Sequence, residues 1–143
     1  GTITNVEKEA IEQHLREGYI TVVSPMGISI DQQPHNVNAD EVAGAIAVSL
    51  QAEKIVLLTN VTGVLRNPQD PDSLISTLTT KEVGELISSG VIQGGMIPKV
   101  HSCMEVLAGG VKKAHIIDAR LRHALLLEIF TDKGIGTQIL ADG

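Results

Sequence analysis

Hydrophobic residues along this chain follow two spacings, one typical of helices and one typical of strands. Val42, Ile46 and Leu50 recur every four residues, with small residues between them. This stripe predicts a helix over 38–50 that can lie close to its neighbours. Similar stripes predict further helices over 7–17, 79–89, 96–108 and 124–130.

Short apolar runs, rich in β-branched residues, predict the strands. Residues 19–24 and 54–59 have the composition of strands that are buried on both faces. Other strands are expected over 2–6, 28–30 with a turn and a returning segment, 114–117 and 137–140. Because strands alternate with helices, we expect an α/β fold: a three-layer αβα sandwich around a mostly parallel central sheet. Ligands of such sheets bind beyond the carboxyl ends of the strands, where 60–65 and Asp118 lie.

The composition narrows the class of protein. A length of 143 residues, 43% of them hydrophobic, predicts one globular domain with a packed core. The chain has one Tyr, one Phe and no Trp, so the core must be aliphatic and the aromatic platforms of single-strand nucleic-acid binders are missing. A net charge of −6 further disfavours nucleic acid and anionic membranes as partners.

The cysteine content and the N-terminal sequence are used to predict the cellular compartment. The single Cys103 excludes an internal disulfide and fits a reducing compartment, so we expect a cytoplasmic protein. Its place on an apolar helical stripe predicts a core residue and not a nucleophile. Neither an apolar run of about 18 residues nor a signal peptide is visible. Because the chain starts at Gly1 without Met, we expect that it was processed or cut from a longer protein.

The start of the predicted helix over 38–50 is the first candidate site. Asn36, Asn38 and Asp40 precede it, so backbone N–H groups and the positive end of the helix dipole would face a bound anion. The alternative is that Asn38 or Asp40 only caps the helix.

The second candidate site is the start of the predicted helix over 96–108. Gly94 and Gly95 permit a close approach of backbone to a ligand, and Lys99 follows one turn into the helix. A lysine there can stabilise the charge of a phosphoryl group in transfer. The alternative is an exposed lysine on an ordinary turn.

Several other sites are excluded by pattern. The chain has no Gly-x-x-x-x-Gly-Lys-Ser/Thr phosphate loop. Gly134 and Gly136 precede a strand and lack a third glycine, which predicts a turn instead of a dinucleotide site. The five histidines lack zinc spacing, so we expect no protein-bound metal.

Four segments together carry a family resemblance: 36–40, 57–65, 94–100 and 134–137. In order and spacing they resemble the C-terminal half of the N-acetyl-L-glutamate kinases, in the amino acid kinase family. The resemblance covers essentially the whole chain and implies the amino acid kinase fold. It also implies a phosphotransferase that moves the γ-phosphoryl group of ATP to the side-chain carboxylate of N-acetyl-L-glutamate, a step of arginine biosynthesis.

The resemblance assigns roles to individual residues. It implies that Asn36 binds acetylglutamate, that Asp40 organises the catalytic lysines and that Lys99 assists the transferred phosphoryl group and the leaving ADP. Magnesium would arrive with ATP. The residues expected to flank the nucleotide are Asn60, Val61, Thr62, Gly63, Val64, Leu65, Val91, Ile92 and Gln93.

Two departures from the family pattern matter. Family members usually have Asp where this chain has Asn60, although the amide can still hydrogen-bond. The family's N-terminal half is absent, and with it the glycine-rich phosphate loop, another catalytic lysine and most of the acetylglutamate lid. We therefore expect residues 1–143 to form one ATP-binding domain that is inactive alone and belongs to a homo-oligomeric full-length enzyme.

The resemblance also implies regulation and alternatives. His115, Glu128 and Gly134 match residues that line the arginine site of arginine-inhibited kinases; without the resemblance they would be a strand-end histidine, a surface glutamate and a turn glycine. One alternative is the arginine-binding, kinase-like domain of N-acetylglutamate synthase. Another is a non-catalytic module that binds the PII signalling protein, as plant and cyanobacterial kinases of this type do. A plant origin would place the protein in the plastid stroma.

Overall fold

The computed structural model describes residues 2–131 and 134–142. The helices and strands alternate along the chain as the hydrophobic pattern predicts. The helices are α1 (Lys8–Arg16), α2 (Ala39–Ser49), α3 (Thr80–Ser88), α4 (Met96–Ala108) and α5 (Ala124–Phe130). The strands are β1 (Met26–Ile28), β2 (Pro34–Asn36), β3 (Lys54–Thr59), β4 (Thr77–Thr79), β5 (Lys113–Asp118) and β6 (Thr137–Leu140).

The central sheet has the strand order β3-β5-β6-β4. Strands β3 and β5 are parallel, as are β4 and β6, whereas β5 and β6 are antiparallel. Thr59 lies opposite Asp118, so the carboxyl ends of β3 and β5 meet at one edge. This mixed, mostly parallel sheet confirms the predicted α/β class.

Helices lie on both faces of the sheet because side chains of a strand point alternately to opposite sides. Ala114 and Ile116 of β5 belong to the aliphatic core with α4. His115, between them, contacts Glu128 of α5 on the other face. The α2, α3 and α4 layer therefore lies on one face and α5 on the other, which gives the expected three layers.

The core is aliphatic, as the composition requires. Val83, Val100 and Ile139 are fully buried. Cys103 is buried with them, which confirms its assignment to the core. Burial, with a smaller contribution from the nearby Asp40 carboxylate, raises the pKa of the Cys103 thiol to about 12, so the thiol remains protonated at neutral pH. Among the helices of the described residues, none combines the length and the apolar character that a bilayer crossing needs.

Two predicted strands are wrong. Residues 2–6 and 19–24 have no strand structure. Ile20 and Val22 in the second segment are 94% and 92% exposed. A strand needs the backbone N–H and C=O groups of a neighbour, and within the described residues no strand pairs with 19–24.

The remaining predicted strands are present, and only some of their first or last residues differ from the prediction. The predicted strand, turn and return is an antiparallel hairpin, which begins at Met26 instead of Ile28. Strand β4 was not predicted, because its three residues carry too little pattern. Thr79, its last residue, also caps the helix that follows: Thr79 and Glu82 form a capping box at the start of α3.

Candidate functional site

At the start of α2, one polar residue caps the helix and another is available for other contacts. The Asn38 side-chain oxygen accepts hydrogen bonds from the backbone N–H groups of Asp40, at 2.9 Å, and Glu41, at 3.3 Å. Asn38 is therefore the N-cap. The Asp40 carboxylate instead faces α4, where its Oδ2 lies 3.7 Å from Nζ of Lys99.

Close packing of α2 on α4 brings these two charges together although 59 positions separate them in the sequence. A Cβ atom on Gly44 of α2 would lie 2.9 Å from Cγ2 of Val106 on α4. Only a residue without a side chain permits this approach. The Lys99 and Asp40 side chains remain 27% and 40% exposed, so both can reach a ligand.

The loop before α4 leaves open space beside the lysine. Gly94 has a φ of +58°, a conformation that favours glycine. Gly95 is the N-cap and makes no side-chain cap bond. Among the described residues, no atom beyond the chain neighbours lies within 4 Å of where a Cβ on either glycine would be. Asp40 of the first candidate site and Lys99 of the second are thus neighbours near the starts of α2 and α4.

The two segments expected to flank a nucleotide line one cavity of about 430 Å³, although about 25 residues separate them. The first leaves the carboxyl end of β3, and the second precedes α4. The cavity also contacts Pro68, Met96 and Arg120. Asn60 lies in its wall.

The 60–65 segment is held in place by Thr137 of β6. The Thr137 hydroxyl accepts a hydrogen bond from the Val64 backbone N–H at 2.8 Å and donates one to the Ile75 carbonyl at 2.7 Å. Gly63 crosses directly over this hydroxyl with a φ of +144°. A Cβ on Gly63 would lie 2.6 Å from Oγ1 of Thr137, so the loop and the sheet require glycine there.

Gly63→Ala is expected to destabilise the chain by about 2 kcal/mol or more, because it combines a disfavoured φ with the clash at Thr137. Gly84→Ala is the matched control. Gly84 lies inside α3 with open space around its Cβ position, so alanine should stabilise by roughly 0.5–1 kcal/mol. Urea denaturation of both variants measures the two shifts, and equal midpoints would show that the geometry at Gly63 is relaxed.

Arg120, which was not predicted as a site residue, lies beside the 430 Å³ cavity. The buried Asp118 carboxylate at the end of β5 binds the Arg120 guanidinium through two hydrogen bonds, and the Arg120 side chain lines the 430 Å³ cavity. The side-chain bond and then the backbone bond from Arg120 lower the pKa of Asp118 to about 2. The available signal was the position of Asp118 after a buried strand, but nothing in the spacing reveals where the Arg120 side chain points.

A second cavity, of about 400 Å³, lies on the α5 side of the sheet and contacts His115, Glu128 and Gly134. Nδ1 of His115 lies 2.5 Å from Oε1 of Glu128, and the Ile135 backbone N–H donates to Oε2 at 2.7 Å. Both side chains are buried, so the description of Glu128 as a surface residue is wrong. Burial favours protonation of Glu128, but the bonds from Ile135 and His115 outweigh it and keep its pKa below the usual value.

Gly134 completes this second cavity. Its φ is +61°, and a Cβ on it would lie 2.9 Å from Oε2 of Glu128. Residues 135 and 136 form a bend immediately before β6, where a turn was predicted. Nε2 of His115 is buried and has no hydrogen-bond partner within the described structure.

The remaining predicted residue, Asn36, lies apart from both cavities. It is exposed at the end of β2, two residues before the Asn38 cap, and lines neither cavity. Across residues 2–131 and 134–142, no three His, Cys, Asp or Glu side chains are close enough together to hold a metal ion.

Known proteins resemble this chain both in sequence and in structure. Residues 1–118 match the model of the amino acid kinase family. The chain is 53% identical over 140 residues to the acetylglutamate kinase of Syntrophomonas wolfei, covering 98% of this chain and 49% of that protein. It is 52% identical to the acetylglutamate kinase of a Synechococcus species over 143 residues, covering 100% of this chain and 48% of that protein. The chain thus spans about half the length of the curated relatives it matches.

Solved structures share the fold. N-acetylglutamate synthase from Neisseria gonorrhoeae, complexed with coenzyme A and L-arginine, superimposes with a TM-score of 0.87 at 33% identity, covering 98% of this chain and 32% of that chain. Carbamate kinase from Giardia lamblia, bound to AMP-PNP, has a TM-score of 0.67 at 20% identity, covering 96% of this chain and 46% of that chain, and shows the fold alone. By sequence and by fold, this chain belongs to the amino acid kinase family.

Proposed function

We propose that this chain is the nucleotide-binding, C-terminal part of an acetylglutamate kinase. The whole enzyme would phosphorylate the side-chain carboxylate of N-acetyl-L-glutamate with ATP, in arginine biosynthesis. The observation that carries the proposal is an identity of about 50% to acetylglutamate kinases over nearly the whole chain. The geometry supports it, since a charged pair and an open glycine loop lie at the start of α4 beside the cavity of 60–65.

The proposed roles follow from charge and position. In a phosphoryl transfer, negative charge on the transferred group must be stabilised while ADP departs. Lys99 supplies a positive charge at the end of a side chain that Asp40 holds from α2. Asp40 would orient Lys99 without neutralising it fully, since the two atoms are 3.7 Å apart and partly exposed. Asn36 would contribute to binding of acetylglutamate.

The proposed nucleotide site is the 430 Å³ cavity. Its wall is largely apolar, which suits the base of a nucleotide, and Met96 at the start of α4 connects it to the glycine loop. Magnesium is placed with the substrate, as MgATP.

The isolated chain is expected to bind ADP weakly and to show no turnover with ATP and N-acetyl-L-glutamate. The cavity proposed for the nucleotide lies within this chain, but no glycine-rich phosphate loop occurs in the 143 residues. Titration with ADP followed by NMR, and a coupled assay of ADP release, measure the two properties. Absence of ADP binding would contradict the nucleotide site, and substrate-dependent turnover would contradict the view that half of the active site lies elsewhere.

The second candidate function is that of the arginine-binding domain of N-acetylglutamate synthase. The favouring observation is the fit to the Neisseria synthase solved with L-arginine, together with the buried His115–Glu128 pair beside a cavity. The identity to that synthase is 33%, against 53% to the Syntrophomonas kinase. Turnover of a full-length protein with ATP would favour the kinase, and acetylation of glutamate from acetyl-coenzyme A would favour the synthase.

Arginine is also the proposed inhibitor of the kinase, bound in the 400 Å³ cavity by His115, Glu128 and Gly134. A homo-oligomeric full-length enzyme, association with PII and a cytoplasmic or plastid location stay predictions. Size measurement of the full-length protein, with and without PII, tests the first two.

A further inference from the structure

Arg120 is the only charged residue among the described residues that line the proposed nucleotide cavity. Its side chain is 66% exposed and yet is held in one orientation. Nε donates to Oδ1 of Asp118 at 2.9 Å, and Nη2 donates to Oδ2 at 2.7 Å. This paired contact fixes the plane of the guanidinium group.

The sheet in turn fixes Asp118. This residue is buried at the end of β5, opposite Thr59 of β3. The Ala119 backbone N–H donates to the Thr59 carbonyl at 2.8 Å, and the Arg120 backbone N–H donates to Oδ1 of Asp118 at 2.9 Å. The guanidinium therefore has a defined position relative to the loop that leaves β3.

The net charge of the Asp118–Arg120 pair determines whether it favours a phosphate group or an aromatic ring as its ligand. The bonds from Arg120 keep the pKa of Asp118 near 2, so the carboxylate is ionised and the pair carries almost no net charge at neutral pH. Such a pair attracts a phosphate group weakly, because repulsion from the carboxylate opposes the attraction of the guanidinium. The open face of a fixed guanidinium plane, however, stacks well on an aromatic ring. The neighbouring wall is apolar, with Val61, Leu65 and Ile92, and favours the same kind of ligand.

We propose that Arg120 is a binding residue that stacks on the base of the nucleotide, and that Asp118 is the positioning residue that holds its plane. This inference rests on the proposed nucleotide function of the same cavity. The proposed base-binding region, next to Arg120, is therefore distinct from the start of α4, where Lys99 carries its positive charge.

Titrations of the 143-residue chain with ADP, adenosine and inorganic tripolyphosphate, followed by NMR, test the proposal. Arg120→Ala is expected to weaken ADP and adenosine by the same factor, at least about fivefold, and to leave tripolyphosphate unchanged. Arg120→Lys should not restore binding, because an ammonium group has no plane to stack. Arg122→Ala, which removes an exposed arginine outside the cavity lining, is the matched control and should bind all three probes as the original chain does.

The Asp118→Asn variant tests positioning. It should weaken ADP and adenosine together and remove the slowly exchanging Nε–H signal of Arg120, while the backbone amide spectrum of the rest of the chain is retained. Unaltered nucleotide affinity with loss of that signal would overturn the positioning role.

The remaining outcomes separate the two proposals. A loss confined to ADP and tripolyphosphate would show a phosphate contact and overturn stacking. ADP binding without adenosine binding, or equal affinities of Arg120→Ala and the original chain, would also overturn stacking but leave the nucleotide site intact. No ADP binding by the original chain would overturn both.

Discussion

Lys99→Ala in the proposed full-length kinase is expected to lower kcat by roughly 100-fold or more, the scale for loss of one charge contact in the transition state. Lys99 lies one turn into α4 beside the glycine loop, and Oδ2 of Asp40 is 3.7 Å from its Nζ. A contact made mainly in the transition state should reduce kcat while the KM for ATP changes little. Steady-state assays of ADP release measure both constants.

Companion variants give this prediction its controls. Lys112→Ala removes an exposed lysine just before β5 and should leave kcat unchanged. Asp40→Asn should lower kcat by less than Lys99→Ala, because the lysine remains but is no longer held by a charge. Asn36→Ala should mainly raise the KM for acetylglutamate. A near-normal kcat in Lys99→Ala would show that Lys99 is not a catalytic residue.

The second large effect concerns arginine, which should inhibit the full-length enzyme. Glu128→Ala is expected to raise the inhibitory concentration of arginine at least about tenfold, equivalent to about 1.4 kcal/mol for a lost charge-assisted contact. The Glu128 carboxylate has lone pairs left after its bonds to His115 and Ile135, and these can accept N–H groups of arginine.

His115 complements Glu128 in this proposed site. When neutral, with its proton on Nδ1 toward Glu128, the ring presents Nε2 as an acceptor, and this atom is buried without a partner in the described structure. A guanidinium N–H would satisfy it. The lowered pKa of Glu128 keeps the carboxylate charged at neutral pH, so the negative charge that would receive arginine is present there.

Glu128→Ala also removes the partner of a buried histidine, so its stability must be measured beside its inhibition. Glu128→Gln preserves the size of the side chain and should still lose arginine sensitivity, because the amide carries no charge. Glu85→Ala, on the exposed face of α3, is the matched control and should be inhibited normally. Calorimetry that detects no arginine binding to the original full-length enzyme would end the hypothesis.

The helices and the segments that form the nucleotide cavity could be predicted from the order of residues along the chain. Helices α2 and α4 were predicted almost to the residue, because helical hydrogen bonds and apolar stripes depend on neighbours four positions apart. The family resemblance also named all nine residues of 60–65 and 91–93 that the tertiary structure brings to one cavity.

Contacts between residues far apart in the chain could not be predicted from local pattern. The apolar run at 19–24 has the composition of a strand, but a strand forms only beside another, and none pairs with it in the described chain. The choice between Asn38 and Asp40 as the cap required coordinates, because both residue types cap helices equally well. Similarly, only the packing of α5 on β5 shows that Glu128 is buried.

Arg120 shows the same limit most clearly. Its sequence neighbours place it after a buried strand, but its role depends on Asp118 being fixed by the β3–β5 pairing and on a cavity wall built by residues up to 60 positions away. Local pattern encodes backbone conformation because the interactions that determine it are short-range. The direction of a side chain and the charge around it arise from elements that meet only when the sheet and its two helical layers have formed.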